Sequence, residues 1–115
     1  MVKRKFDPHK GMWDLPGGFV EFDETMENSV VREIKEEINA AIENLKYVCT
    51  TNDLYVYKDI LYHTICSTYT ADLVDDNLKP LDDVEEIRFF KPDSIPYADI
   101  AFDSIKNILR DYLKK

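Results

Sequence analysis

Thirty residues in the middle of the chain, 45–74, alternate or run apolar and are rich in β-branched and aromatic side chains. A run like this forms antiparallel sheet and little else. Three strands are expected, over 45–50, 54–57 and 61–71, with Asn52-Asp53 and Lys58-Asp59 as the turns between them. Helical periodicity lies on either side. Over residues 24–38, Val30, Val31, Ile34 and Ile38 share one arc, while Glu33, Glu36 and Glu37 cluster on another. Asp23 is the expected N-cap and Asn39 the expected left-handed C-cap. Ile100, Ala101, Ile105, Ile108, Leu109 and Tyr112 mark a second helix, ending in Lys114-Lys115. Between the sheet run and that helix, residues 75–86 read as an acidic loop and 87–90 as a short strand. The sum is one mixed α/β layered domain over 1–115.

Composition limits the partners. Asp and Glu number 23 against 15 Lys and Arg, a net charge of −8. That excess argues against binding a nucleic-acid polymer through its backbone and against electrostatic docking on an anionic membrane. No apolar run approaches the roughly 20 residues of a membrane span. The first residues, Met1 to Asp7, include no apolar leader-like segment, so a cytoplasmic location is expected. Cys49 and Cys66 lie in apolar strand-like runs and read as reduced and buried. His9 and His63 have no second histidine at ligand spacing, so zinc is not expected.

The chemistry is concentrated in 17–37. All three glycines, Gly11, Gly17 and Gly18, fall within eight positions. Just beyond them, Glu33, Glu36 and Glu37 stand at i, i+3 and i+4 on one helix face, where like charges repel unless a cation binds. Clustered carboxylate oxygens suit hard divalent ions, Mg²⁺ or Mn²⁺, and Mg²⁺ keeps open positions for water and phosphate oxygens. Carboxylates, a cation and a bare backbone turn together suggest hydrolysis of a phosphate anhydride.

Read from Gly18, the chain resembles the signature of the Nudix hydrolases, Gly-x5-Glu-x7-Arg-Glu-U-x-Glu-Glu-x-Gly-U with U aliphatic. Glu24, Arg32, Glu33, Ile34, Glu36 and Glu37 stand in the required places, and Asn39 and Ala40 depart from the pattern. The lead-in from Trp13 to Glu21, the acidic stretch Asp82–Glu86 and the segment 100–105 are similar to the branch that includes NADH and ADP-ribose pyrophosphatases. The resemblance implies a Nudix-like α/β/α sandwich with a mixed sheet in a single domain; some members of this branch carry a zinc ribbon, and with no ribbon cysteines in this sequence none is expected here. The first strand of that fold looks cut short here, which would leave an open sheet edge and invite a homodimer or a domain swap.

The resemblance also implies roles. Glu36 and Glu37 would be the principal Mg²⁺ ligands, and Glu33 a ligand or the general base. The Gly17 carbonyl would be a backbone ligand, Arg32 would orient Glu33, and Glu24 would support that group. Glu86 is the expected further ligand from the acidic loop, with Asp83 in reserve. Gly18 and Phe19 are candidate substrate contacts, and Trp13 either packs under the glycine turn or stacks on a base as a further contact. The implied activity is Mg²⁺-dependent hydrolysis, by a metal-activated water, of a nucleoside diphosphate linked to another moiety, such as ADP-ribose or NADH. Two alternatives stand beside it: hydrolysis of damaged nucleoside triphosphates, and nucleotide binding without catalysis.

Overall fold

The computed structural model describes residues 1–114. Its elements are β1 (Val2–Arg4), β2 (Trp13–Asp14), α1 (Met26–Ile38), β3 (Ile42–Tyr57), β4 (Ile60–Leu73), β5 (Val84–Ile87) and α2 (Asp103–Leu113). Two single 3₁₀ turns, Pro92–Ser94 and Tyr97–Asp99, precede α2. Lys115, expected at the end of the second helix, lies outside the described residues.

Two antiparallel sheets share the strands. One has the order β2-β1-β5, with Val2 opposite both Asp14 and Ile87. The other is the long β3–β4 hairpin. Among the described strands no two pair in parallel, and the mixed character rests on one parallel bridge, Trp13 to Ile100. The result is a mixed α+β fold with two helices. β1 is flanked on both sides, so the open edges lie on β2, β5 and the hairpin rather than beside the first strand.

The core forms where α1 meets the three-stranded sheet. Val2, Ile34, Ile38, Ala40 and Val84 are buried together, with Val30, Ile42, Leu78 and Ile87 packed around them. Three of the four expected apolar positions of α1 therefore face inward. Val31 does not and stands exposed. Burying the 30–34–38 stripe turns the Glu33–Glu37 arc toward the β2–α1 connection, and this positions the site.

The helix ends differ from one another in how far local rules decided them. Asn39 takes the expected left-handed exit (φ 57°), and its N–H donates to the Lys35 carbonyl at 3.1 Å. Its side chain also donates to the Asn77 carbonyl at 2.9 Å, a bond that glycine could not supply. At the other end Thr25, not Asp23, is the cap. Thr25 is extended, and its hydroxyl accepts the Asn28 N–H at 3.1 Å. Asp23 sits at φ 63°, a conformation that cannot start a helix as an N-cap does.

Four further expectations are corrected. Asn52-Asp53 does not turn: both residues stay inside β3, opposite Ile65 and Thr64, and Asp53 accepts the Ser104 hydroxyl at 2.7 Å. Cross-strand pairing and a bond from α2 outweigh turn propensity there. The meander is thus one hairpin, closed by Lys58-Asp59 with both residues at positive φ (51° and 64°). The strand expected at 87–90 lies at 84–87; Phe90 leaves the sheet to meet Trp13 edge-on at 5.1 Å. Ile100 and Ala101 are buried but precede α2, and Ala101 N–H donates to the Trp13 carbonyl at 2.8 Å. Of the two free thiols, Cys49 is half-buried and Cys66 is exposed, not buried as expected.

Candidate active site

Between β1, the Gly17-Gly18 turn and α1 lies a cleft of about 440 Å³. Gly17, Gly18, Phe19, Glu33, Glu37 and Asp83 all line it. Each is delivered by a local rule. β2 ends at Asp14, the chain bends at Pro16, and the two glycines carry the backbone past α1 without side chains. At Gly18 a Cβ would meet the Glu33 carboxylate, so any side chain there would push the end of Glu33 aside. Gly17 has open space, and what it supplies is its N–H, which donates to Glu37 Oε2 at 2.9 Å.

Behind the cleft Arg32 is a hub. Its Nε and Nη2 grip Glu24 in a two-pronged pair at 2.7 and 2.9 Å. Nη1 donates to Glu33 Oε1 at 2.9 Å and to Glu36 Oε2 at 3.1 Å, and Nη2 also donates to the Phe19 carbonyl at 3.1 Å. One guanidinium thus ties the glycine turn to two successive turns of α1, which its flat array of donors is suited to do. The Arg32 bonds, with a further one from the Glu21 N–H, hold Glu24 down to about 2. The same carboxylates raise the guanidinium's own pKa.

Glu37 lies in the opposite electrostatic setting. Burial pushes it up to about 7, and the nearby carboxylates of Glu33, Asp14 and Asp83 add to the rise; the Gly17 bond offsets only part of it. Asp14, a cleft residue that sequence reasoning did not single out, is also raised by burial, despite its 2.8 Å pair with Arg4. Its signal was the β2 pairing, which sends Trp13 and Asp14 to opposite faces.

The structure thus gathers Gly17, Gly18, Phe19, Glu33 and Glu37 in one cleft, with Arg32 and Glu24 supporting them. It separates others. Glu36 turns outward onto Arg32 and does not line the cleft. Glu86 is taken up by Arg88 (2.6 Å) and by Lys3 (3.5 Å), its neighbour across β1–β5. It is Asp83, the reserve, that reaches the cleft. Trp13 is only 6% exposed, wedged among Phe90, Lys3 and Arg88, and has no free face for a substrate. Nor do the three glutamates of α1 converge. Among the described residues no three acidic, His or Cys side chains close on one point as an ion cage. Glu33 and Glu36 point to Arg32 and Glu37 points to Gly17. The carboxylates that line the cleft are those of Asp7, Asp14, Glu21, Glu33, Glu37 and Asp83, with Glu33 engaged by Arg32.

Comparison with known proteins gives the family. The profile of the NUDIX domain matches residues 1–112. Over 116 aligned residues the chain is 40% identical to an ADP-ribose pyrophosphatase of Methanocaldococcus jannaschii, covering 99% of this chain and 64% of that protein. It is 30% identical to the NAD-capped RNA hydrolase NudC of Pseudomonas aeruginosa, over 91% of this chain and 36% of that one. It therefore spans less than two thirds of the length of either relative. A crystal structure of a NUDIX hydrolase from Nitrosomonas europaea superposes with a TM-score of 0.75 and 32% identity, over 98% of this chain and 61% of that one. The NUDIX domain of Shewanella oneidensis NrtR, crystallised with ADP ribose, superposes with a TM-score of 0.67 and 26% identity, over 98% and 74% of the two chains. With the profile spanning nearly its whole length, this chain belongs to the Nudix hydrolase family.

Proposed function

We propose that the protein hydrolyses the pyrophosphate bond of a nucleoside diphosphate linked to a second moiety, with Mg²⁺ or Mn²⁺ as the cofactor and ADP-ribose as the leading substrate. The observation that carries this reading is the division of labour on α1. Arg32 fixes Glu24 and Glu33 beside the glycine turn, while Glu37 is left in the cleft with unrelieved negative charge around it. A divalent cation is the natural relief for that charge, and the donors are hard oxygens, which fits. Glu33, Glu37 and Asp83 would hold it, joined by the Gly17 carbonyl and by Glu36 once that side chain leaves Arg32. So bound, the cation would polarise a phosphoryl oxygen and acidify a water.

The chain's own groups do the rest. In the metal-free protein Glu37, pushed up by burial to about 7, is able to hold a proton that a bound cation would displace. Arg32 keeps Glu33 aimed into the cleft, where it acts as a ligand or as the base. Phe19, exposed at the cleft rim, offers a flat surface to a base or nicotinamide ring. Support for ADP-ribose comes from the name of the Methanocaldococcus jannaschii relative and from the ligand of the NrtR domain.

The test is release of AMP or phosphate from ADP-ribose, NADH, 8-oxo-dGTP and diadenosine polyphosphates, with and without Mg²⁺. Metal-dependent turnover of ADP-ribose above the others is the expected result. Preference for 8-oxo-dGTP would move the protein to clearance of damaged nucleotides. Saturable binding without turnover of any compound would make it a nucleotide-binding module, a reading favoured by the engagement of Glu33 and Glu36 with Arg32.

A further inference from the structure

One wall of the cleft is built by β1 and the loop that follows it, through Lys3, Arg4, Lys5 and Phe6. Two of its three cations are taken: Lys3 faces Glu86 at 3.5 Å, and Arg4 grips Asp14 at 2.8 Å. Among the described residues Lys5 forms no ion pair. Its backbone N–H donates to the Asp83 carbonyl at 3.0 Å, which fixes it beside a cleft residue, and its ammonium lies 5.7 Å from the Phe6 ring. The loop itself is braced. Arg4 Nε donates to the Pro8 carbonyl at 2.7 Å, the Lys10 N–H to Asp7 Oδ1 at 3.3 Å and the Met12 N–H to the His9 carbonyl at 3.1 Å. Phe6 is nonetheless left 57% exposed, whereas Phe102, against the same loop, is packed by His9, Arg4 and Tyr55.

Building on the activity proposed above, we propose that Lys5 and Phe6 form the subsite for the nucleotide end of the substrate: the Lys5 ammonium pairs with a phosphate oxygen, and the open face of the Phe6 ring stacks on the base. Six carboxylates line the cleft beside these three cations, so an anionic ligand is repelled unless positive charge meets it. At the α1 side a divalent cation would supply that charge. At the β1 side Lys5 is the cation that can turn to a ligand without giving up an ion pair, and a free ammonium is a compact point charge suited to a phosphate. An apolar ring held in water by a braced loop is already ordered, so stacking on it costs little further entropy. Phe19 follows the glycine turn and Phe6 follows β1, so a base that enters the cleft meets a ring on either wall. A cation and a ring side by side select for a phosphate that carries a base. The site therefore favours nucleoside diphosphates over diphosphates that have no ring.

Isothermal titration of the full chain with ADP and with methylenediphosphonate, both in Mg²⁺, tests this alongside steady-state kinetics on ADP-ribose. Lys5→Gln should weaken both ligands at least about tenfold and raise KM by a similar factor, with a much smaller change in kcat. Lys5→Arg should recover most of the affinity, because it restores the charge. Phe6→Leu should weaken ADP about five- to tenfold and leave methylenediphosphonate unchanged, while Phe6→Tyr, which keeps the ring, should bind both like the wild type. Circular dichroism of these variants should match the wild type, because both side chains are already in water. Lys10→Gln removes a positive charge from the same loop outside the cleft and should bind both ligands normally. Equal losses in Lys10→Gln and Lys5→Gln would reduce the effect to general charge and overturn the proposal. So would Lys5→Gln or Phe6→Leu chains that bind ADP like the wild type, or a wild type that binds neither ligand. A wild type that binds ADP through these two residues yet turns over no ADP-ribose would sink the proposed activity and uphold the subsite.

Discussion

Glu24 and Glu37 belong to one helix and its lead-in, and both flank the same cleft, yet their environments are opposites. Glu24 is gripped by two nitrogens of Arg32 and held down to about 2, so it is an anion at neutral pH. Glu37 has a single backbone donor, is buried, faces other carboxylates and is pushed up to about 7. The first arrangement builds a rigid frame from charge. The second keeps a charge unsatisfied so that it is available to a cation, a proton or a phosphate ester. A site built this way separates the residues that hold its shape from those that react.

That contrast is broken most directly at Glu37. Glu37→Gln removes the reactive charge without disturbing the Arg32 frame, so kcat on ADP-ribose with Mg²⁺ should fall by about 10²–10⁴-fold. The melting temperature of the metal-free protein should stay level or rise, because a repulsive charge has gone. A variant that turns over like the wild type would remove Glu37 from the mechanism. Breaking the frame should cost less in rate and more in stability. Arg32→Ala releases four neighbouring carboxylates at once, and about a 10–100-fold loss in kcat is expected, as for groups that orient metal ligands. Its melting temperature should drop clearly, and unchanged thermal unfolding would show that the hub is not structural.

Gly18→Ala sharpens the comparison, since its added methyl collides only with the mobile end of Glu33. About a tenfold loss of kcat with a nearly unchanged melting curve is expected, and reduced expression or early melting would instead implicate the turn itself. The two acids should also leave opposite marks on stability against pH. Glu37 is raised from its ordinary value to about 7, so the metal-free protein binds its proton more tightly folded than unfolded. Stability from this group is full below the ordinary carboxylate value and is lost as pH climbs toward and past 7. Glu24 is lowered, so its contribution is full above the ordinary value and is lost as pH falls toward about 2. Melting temperatures from acid to pH 8 should show both limbs. Glu37→Gln should flatten only the upper one, and Mg²⁺ should recover stability at pH 8. The smallest effect is expected at Asn39→Ala. The loss of an easy left-handed exit and of the bond to Asn77 should cost about 1 kcal/mol in chemical denaturation, with kcat unaffected.

Local rules made the frame readable in the sequence. The 3.6-residue period placed Ile34 and Ile38 in the core, the spacing from Gly18 to Glu37 set the box, and Asn39 could be read as an αL exit because that tolerance is a property of the residue itself. What stayed hidden depends on distant partners. Whether Glu86 or Asp83 reaches the cleft is decided by the β1–β5 register, which places Lys3 beside Glu86. Asn52-Asp53 looks like a turn until β4 and Ser104 are in place. The direction of Glu33 and Glu36 follows from one guanidinium serving several carboxylates, and a spacing pattern does not encode that competition.

The parallel bridge between Trp13 and Ile100 joins positions 87 residues apart, and the stretch it steadies runs straight into the glycine turn. Loop closure over that separation is slow compared with helix or hairpin formation. During synthesis, every acidic group of the cleft leaves the ribosome before the strut that braces its floor. The working geometry is therefore a late event in the life of the chain, and the cleft matures only after the segment before the final helix has been made.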